Sequence, residues 1–137
     1  MISPALEHAT ALVGDRWTLL VLAALREGPL RFGDLSRELG AIAPNVLSSR
    51  LRDLTMGRLV LAEPYQRRPL RMTYDLTPVG RQLAPALLAL EMWGAALGDD
   101  IAGPWHGACG TPLELRAWCP SCETVADHPG GDDTVFV

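Results

Sequence analysis

Pro44-Asn45-Val46-Leu47-Ser48-Ser49-Arg50-Leu51-Arg52-Asp53-Leu54-Thr55-Met56, closed by Gly57, carries two different surfaces when it is wound as a helix. At about 100° per residue, Leu47, Leu51 and Leu54 fall on one side. The opposite side collects Asn45, Ser49, Arg52 and Met56, flanked by Ser48 and Asp53. Pro44 suits a first helical turn and Gly57 a helix end. The leucines are predicted to moor the helix in a core. Apart from Met56, the far side is short and polar with one long arginine, a surface that can approach base edges in a major groove. Arg50 lies beside the leucine stripe, where a phosphate or an intramolecular acid is a better partner than a base.

The flanking chain gives this helix a setting. Upstream, Leu6, Ala9, Leu12 and Val13 recur at helical spacing over Ser3 to Val13, and Gly14-Asp15 interrupts them. Arg16 to Arg26 follows as a helix apolar over most of its circumference, stopped by Gly28-Pro29. Leu30-Arg31-Phe32 has room only for a turn or a single short strand, and Gly33 to Leu39 reads as a third short helix. Gly40 to Ala43 turns the chain into the helix of residues 44–56.

Downstream, Leu59 to Ala62 and Met72 to Leu76 read as strands, with Pro64 to Pro69 as an arginine-bearing loop between them. Thr77 is a helix cap before Pro78. Leu83, Leu87, Leu90 and Trp93 then recur every three or four residues in a long amphipathic helix from Pro78 to Leu97, with Pro85 a possible kink.

This order predicts a mainly α fold with a small β-hairpin, an α+β winged helix-turn-helix in which residues 44–56 enter the major groove. The hairpin tip, with Tyr65, Gln66, Arg67, Arg68 and Arg71, is the wing, set against backbone or minor groove. The candidate DNA-binding residues are Arg31, Asn45, Ser48, Ser49, Arg50, Arg52, Gln66, Arg67, Arg68 and Arg71. Residues 1–98 are expected to form the DNA-binding and dimerisation domain, with Leu6, Leu83, Leu87, Leu90 and Trp93 at the dimer interface. The alternative is that Leu83 to Trp93 pack wholly within one subunit.

The formal net charge of −4 does not oppose a nucleic-acid partner once it is divided along the chain. Residues 31–81 hold nine arginines against five acidic residues, whereas residues 99–137 hold one arginine against seven. Surface charges are screened within about 10 Å in ordinary salt, so a basic middle can bind phosphate beside an acidic tail. No apolar run approaches the roughly 18 residues of a membrane span, and Met1-Ile2-Ser3-Pro4 lacks the regions of a signal peptide. A cytoplasmic, nucleoid-associated protein without a membrane partner is the expectation.

The chain resembles the HxlR-type winged-helix regulators of bacteria through several ordered blocks. They are Leu12-Val13-Gly14-Asp15-Arg16-Trp17-Thr18-Leu19-Leu20, Leu30-Arg31-Phe32-Gly33-Asp34-Leu35, Pro44 to Leu51, Tyr74-Asp75-Leu76-Thr77-Pro78-Val79-Gly80, and Trp93-Gly94. The resemblance implies a homodimer built from the first and last helices of the domain, controlling neighbouring genes. Several members sense electrophiles or oxidants with a cysteine near the N-terminus, where this chain has Ser3-Pro4. Thiol switching at that position is therefore not expected, and the signal, whether small molecule, metal or none, stays open.

The acidic segment 99–137 holds His106-x2-Cys109-x9-Cys119-x2-Cys122, two short donor pairs with the spacing of a miniature zinc ribbon over about residues 104–126. Four protein ligands make a structural rather than a catalytic site. His128 is a rival fourth ligand. The other readings are a disordered acidic tail with incidental cysteines, or a redox pair at Cys119 and Cys122. Some relatives of the resembled family carry a similar tail, which favours zinc.

No nucleophile, base and oxyanion set can be assembled, so an enzyme is not expected. The functional expectation is a homodimeric repressor bound to double-stranded operator DNA. The alternative is a winged helix used for protein contacts, with the metal-stabilised tail as its docking module.

Overall fold

A computed structural model describes residues 2–126. Among the described residues, Glu7–Leu87 forms one compact unit, and a second takes in residues 2–6 together with residues 88–126.

Helix α1 (Pro4–Val13), which enters the first unit at Glu7, ends at Gly14, whose backbone N–H bonds the Thr10 carbonyl at 2.8 Å. A Cβ at Gly14 would collide with that same carbonyl oxygen, so the exit from α1 requires glycine. Asp15 then caps α2 (Arg16–Ala24), its carboxylate accepting from the Trp17 and Thr18 backbone N–H groups at 3.1 Å each. The predicted helix to Arg26 is shorter than expected, because Leu25–Glu27 tightens into a 3-10 turn before Gly28 at φ 144°. Such tightening satisfies the last orphan carbonyls of a helix.

Strand β1 (Leu30–Arg31) leads into α3 (Phe32–Leu39), and Gly40 at φ 66° ends that helix. Helix α4 (Pro44–Met56) follows with the predicted bounds. Leu47, Leu51 and Leu54 are buried, in one cluster with Val21, Leu22, Leu25, Leu35, Ile42, Val60, Leu76 and Leu87. The leucine stripe is therefore the mooring that its spacing predicts.

Strands β2 (Val60–Arg67) and β3 (Leu70–Leu76) form an antiparallel hairpin, with β1 on the other side of β3 in the order β1-β3-β2. The expected loop of residues 64–69 is thus mostly strand. Arg67 pairs with Leu70, leaving only Arg68-Pro69 at the turn. Pro64 is tolerated because β2 is an edge strand, where a missing N–H donor costs no ladder bond, and the register slips between Pro64 and Gln66.

The helix expected over Pro78 to Leu97 is broken in two. Helix α5 (Pro78–Arg81) is a single turn capped by Thr77, whose Oγ1 accepts from the Gly80 N–H at 3.0 Å. After Gln82-Leu83 the chain starts again as α6 (Ala84–Ala96). Pro85 has no N–H to donate to the Arg81 carbonyl, which removes the bond that would carry the helix through. Nor is α6 amphipathic as expected, since Glu91 is its only charged or polar side chain. Leu87 is its one buried residue, whereas Leu90 and Trp93 are exposed.

In the second unit, β4 (Ala117–Cys119) and β5 (Thr124–Ala126) make a small antiparallel hairpin, and Trp105 bridges Pro112 upstream of it. Among the described residues, none from 104 to 126 is buried. Nor is any helix of the described residues long and apolar enough to cross a membrane.

Candidate nucleic-acid interface

The outward side of α4 is exposed at Asn45, Ser48, Arg52 and Met56, while Ser49 is half-buried. The exposed side of α4 therefore centres on Ser48 rather than Ser49, rotated by about one residue from the expectation. Between this face and the hairpin runs a cleft of about 340 Å³ lined by Ser48, Arg52, Thr55, Met56, Ala62 and Met72, among others.

Arg50 is occupied inside the subunit. Its Nε lies 3.0 Å from Asp15 Oδ1 and its Nη1 lies 3.2 Å from Asp53 Oδ2. The Nε contact is an ion pair without the alignment of a hydrogen bond, so that buried N–H has no aligned acceptor. Arg50 thus couples α4 to the cap of α2, the intramolecular outcome that its place beside the stripe allows.

The Thr18 backbone N–H first, then the Arg50 guanidinium and the Trp17 N–H, hold the Asp15 carboxyl below its ordinary value against an opposing push from desolvation. A depressed carboxyl stabilises the fold above its unfolded pKa, and the contribution is lost as pH falls through the lower folded value. Asp15→Ala should therefore destabilise the fold at pH 7, lowering the urea midpoint. The deficit should shrink well below pH 4, where the wild-type carboxyl is also protonated. Urea denaturation of both proteins at the two pH values checks this; an undiminished gap in acid would contradict the assignment.

At the hairpin tip, Arg67, Arg68, Leu70 and Arg71 are exposed. Gln66 donates its Nε2 to the Arg68 carbonyl at 3.1 Å and braces the turn. Arg31 joins this region by a route that the sequence hides. Strand β1 pairs Arg31 with Thr73, and its guanidinium lies 4.3 Å from the Tyr65 ring centroid. An exposed stack of this kind contributes about 0.5–1 kcal/mol and holds the cation over the sheet.

Seven of the nine arginines of residues 31–81 fall into two groups, with Arg31 stacked on Tyr65 and exposed Arg58 outside both. Arg37, Arg50 and Arg81 are paired with Asp34, with Asp15 and Asp53, and with Asp75. Arg52, Arg67, Arg68 and Arg71 are exposed and, among the described residues, make no salt bridge. Cations left unpaired on one helix face and on a hairpin tip are able to attract phosphate.

The other predicted site residues also divide. Leu6, Leu90 and Trp93 are exposed, Leu87 lies in the core of the subunit, and Leu83 packs against that core. His106 and Cys109 approach each other at 3.2 Å, and Cys119 ends β4 while Cys122 lies within the turn that leads to β5. Among the described residues, no three His, Cys, Asp or Glu side chains converge as a metal site. His128 lies outside the described residues.

Known proteins share this arrangement. The HxlR-like helix-turn-helix family matches residues 12–101. An uncharacterised HTH-type transcriptional regulator of Mycobacterium tuberculosis is 42% identical over 133 residues, spanning 90% of this chain and 84% of that protein. So large a share of this chain carries the match past Ile101 into the cysteine-bearing segment. The regulator YodB of Bacillus subtilis is 29% identical over 106 residues, covering 77% of this chain and 91% of that protein.

Among solved structures, the reduced form of YodB gives a TM-score of 0.61 at 27% identity, over 72% of this chain and 97% of that one. The redox regulator HypR in its reduced form gives 0.65 at 28% identity, over 69% and 94%. With a leucine-moored helix, an arginine-bearing hairpin and these relatives together, the chain belongs to the HxlR-like helix-turn-helix family of DNA-binding transcriptional regulators.

Proposed function

We propose that the protein is a homodimeric repressor that binds operator DNA in a sequence-specific manner. Asn45, Ser48, Ser49 and Arg52 of α4 read base edges in the major groove, and Arg67, Arg68 and Arg71 of the wing, with Arg31 beside them, contact backbone or minor groove. Arg50 and Gln66 serve this surface indirectly, the first by orienting α4 and the second by bracing the tip. The observation that carries the reading is that Arg52 on the outer side of α4 and Arg67, Arg68 and Arg71 at the hairpin tip make no salt bridge among the described residues, while Arg37, Arg50 and Arg81 are paired with acids.

An apolar helix needs cover, and α6 exposes Leu90 and Trp93 in the isolated subunit. A second copy is the proposed cover, with Leu6 contributing and residues 1–98 acting as the DNA-binding and dimerisation portion. Two copies would present two α4 helices to successive major grooves, so the operator should be a near-palindrome with half-sites about one helical turn apart. Occupancy of promoter DNA by such a dimer blocks polymerase without any further contact, which is why repression is the proposed sign. The setting is the cytoplasm, at the nucleoid.

Selection of genomic fragments by the purified protein tests the whole reading. The enriched fragments should share one two-fold symmetric motif and lie near promoters. Recovery of fragments with no common motif would remove the sequence-specific assignment. A monomer at micromolar concentration in sedimentation, still binding the motif, would remove the dimer.

A further inference from the structure

Two turns in the C-terminal segment are built alike. In the first, Cys109 N and Gly110 N both donate to the His106 carbonyl, at 3.2 and 2.8 Å, and Gly110 takes φ 71°. In the second, the chain turns between Cys119 and Thr124, which are paired in the β4-β5 ladder, and Glu123 takes φ 52°. Each turn sets two donor residues three apart and places the residue after the second donor in the left-handed region. Glycine does so freely in the first, whereas a glutamate is strained in that region. No apolar core offsets that strain, because none of residues 104–126 is buried.

The first pair has the dimension of a ligand edge. Zinc–nitrogen and zinc–sulfur bonds of about 2.1 and 2.3 Å at a tetrahedral angle put the two donors roughly 3.6 Å apart. His106 Nδ1 and Cys109 Sγ stand 3.2 Å apart, within a few tenths of an ångström of that edge. Thr111 Oγ1 lies 3.2 Å from the same sulfur, so its hydroxyl can donate to the thiolate once the thiol proton has left.

We propose that His106 Nδ1, Cys109, Cys119 and Cys122 close on one tetrahedral zinc ion and that this ion supplies the folding energy of residues 104–126. The two pairs are half-sites, drawn together across residues 112–116 when the ion binds. Binding forms one Zn–N and three Zn–S bonds, and the three thiol protons pass to solvent. His106 rather than His128 is the nitrogen ligand, because its ring already faces Cys109.

The test uses the full chain, purified without added metal, reduced, and titrated with zinc and separately with cobalt(II). The expected result is one metal per chain, with a cobalt spectrum of tetrahedral, thiolate-rich coordination. Cys109→Ser and Cys119→Ser should each weaken binding by more than about 100-fold, beyond the loss of an outer-shell partner. His106→Ala should weaken it while His128→Ala leaves it unchanged, and nitrogen–proton correlation spectra of the zinc form should place the metal on Nδ1 of His106.

Several results would overturn the site. They are a stoichiometry near zero in elemental analysis and titration, one ion per two chains, full binding by Cys109→Ser, or metal on His128. The titrations of the unaltered chain decide the question even where a cysteine variant fails to fold, and they do not depend on DNA binding.

Discussion

Replacing Arg52, Arg67 and Arg68 together with alanine is expected to abolish the retardation of operator DNA, with affinity falling by about three to four orders of magnitude. The size follows from the roles. A side chain reading a base edge discriminates by about 1–3 kcal/mol, and in a dimer each position counts twice. Arg67 and Arg68 would contact phosphate, so four fewer counterions are released per dimer and the slope of log affinity against log salt should flatten by roughly three to four. Arg52→Ala alone should relax sequence preference at one position per half-site and leave that slope nearly unchanged. Arg116, exposed and paired with Glu114 at 2.7 Å, is the control whose removal should leave binding within about twofold. Affinity titrations at several salt concentrations check all four statements. Wild-type affinity in the triple variant would dismiss the arginine-tipped wing and α4 as the interface.

How much of this surface the sequence discloses depends on the range over which each residue's partner lies. The buried side of α4 is legible because Leu47, Leu51 and Leu54 repeat at the period of one helix, and a local period needs no knowledge of the rest of the chain. The exposed side is legible to within one residue, since Ser48 and Ser49 are adjacent and only contacts with other elements decide which is half-buried.

Arg31 and Tyr65 stand far apart in the chain, and no local signal links them. Only the pairing of β1 with β3 brings that guanidinium over the ring. Arg50 is intermediate, because its place beside the stripe points to an intramolecular acid but not to Asp15, the cap of another helix. The expected loop at residues 64–69 reflects the opposite difficulty. Two prolines and two arginines argue locally against a strand, and the edge position of β2 is what makes Pro64 harmless. The expected long helix after Thr77 overrode a local signal that was present, since Pro85 lacks the donor needed for continuity and the chain breaks at Gln82-Leu83.

Gly80→Ala should be among the most damaging single substitutions in the protein, although it adds one methyl group. Strand β3 passes into α5 through a corner held by a net of backbone contacts. Thr77 Oγ1 donates to the Arg58 carbonyl at 2.7 Å and Thr77 N donates to the Leu59 carbonyl at 3.0 Å. Gly80 is buried, and a Cβ there would collide with the carbonyl oxygen of that same Leu59. The obstacle is main chain rather than the flexible end of a side chain, so the strand or the helix must shift. Leu76 and Val60 belong to the core on either side of this corner, and a shift would open packing around both. Overpacking of this kind costs on the order of 3 kcal/mol, which lowers the melting temperature by about 10 °C in a chain of this size. Val79→Ala, at an exposed neighbour, should cost less than about 0.5 kcal/mol and separates loss of the glycine from general sensitivity of the turn. Calorimetric melts of the two variants beside the wild type check the prediction. Equal melting temperatures for Gly80→Ala and wild type would mean that the corner yields freely, and the Leu-Thr-Pro-Val-Gly block would then need a role other than close backbone packing.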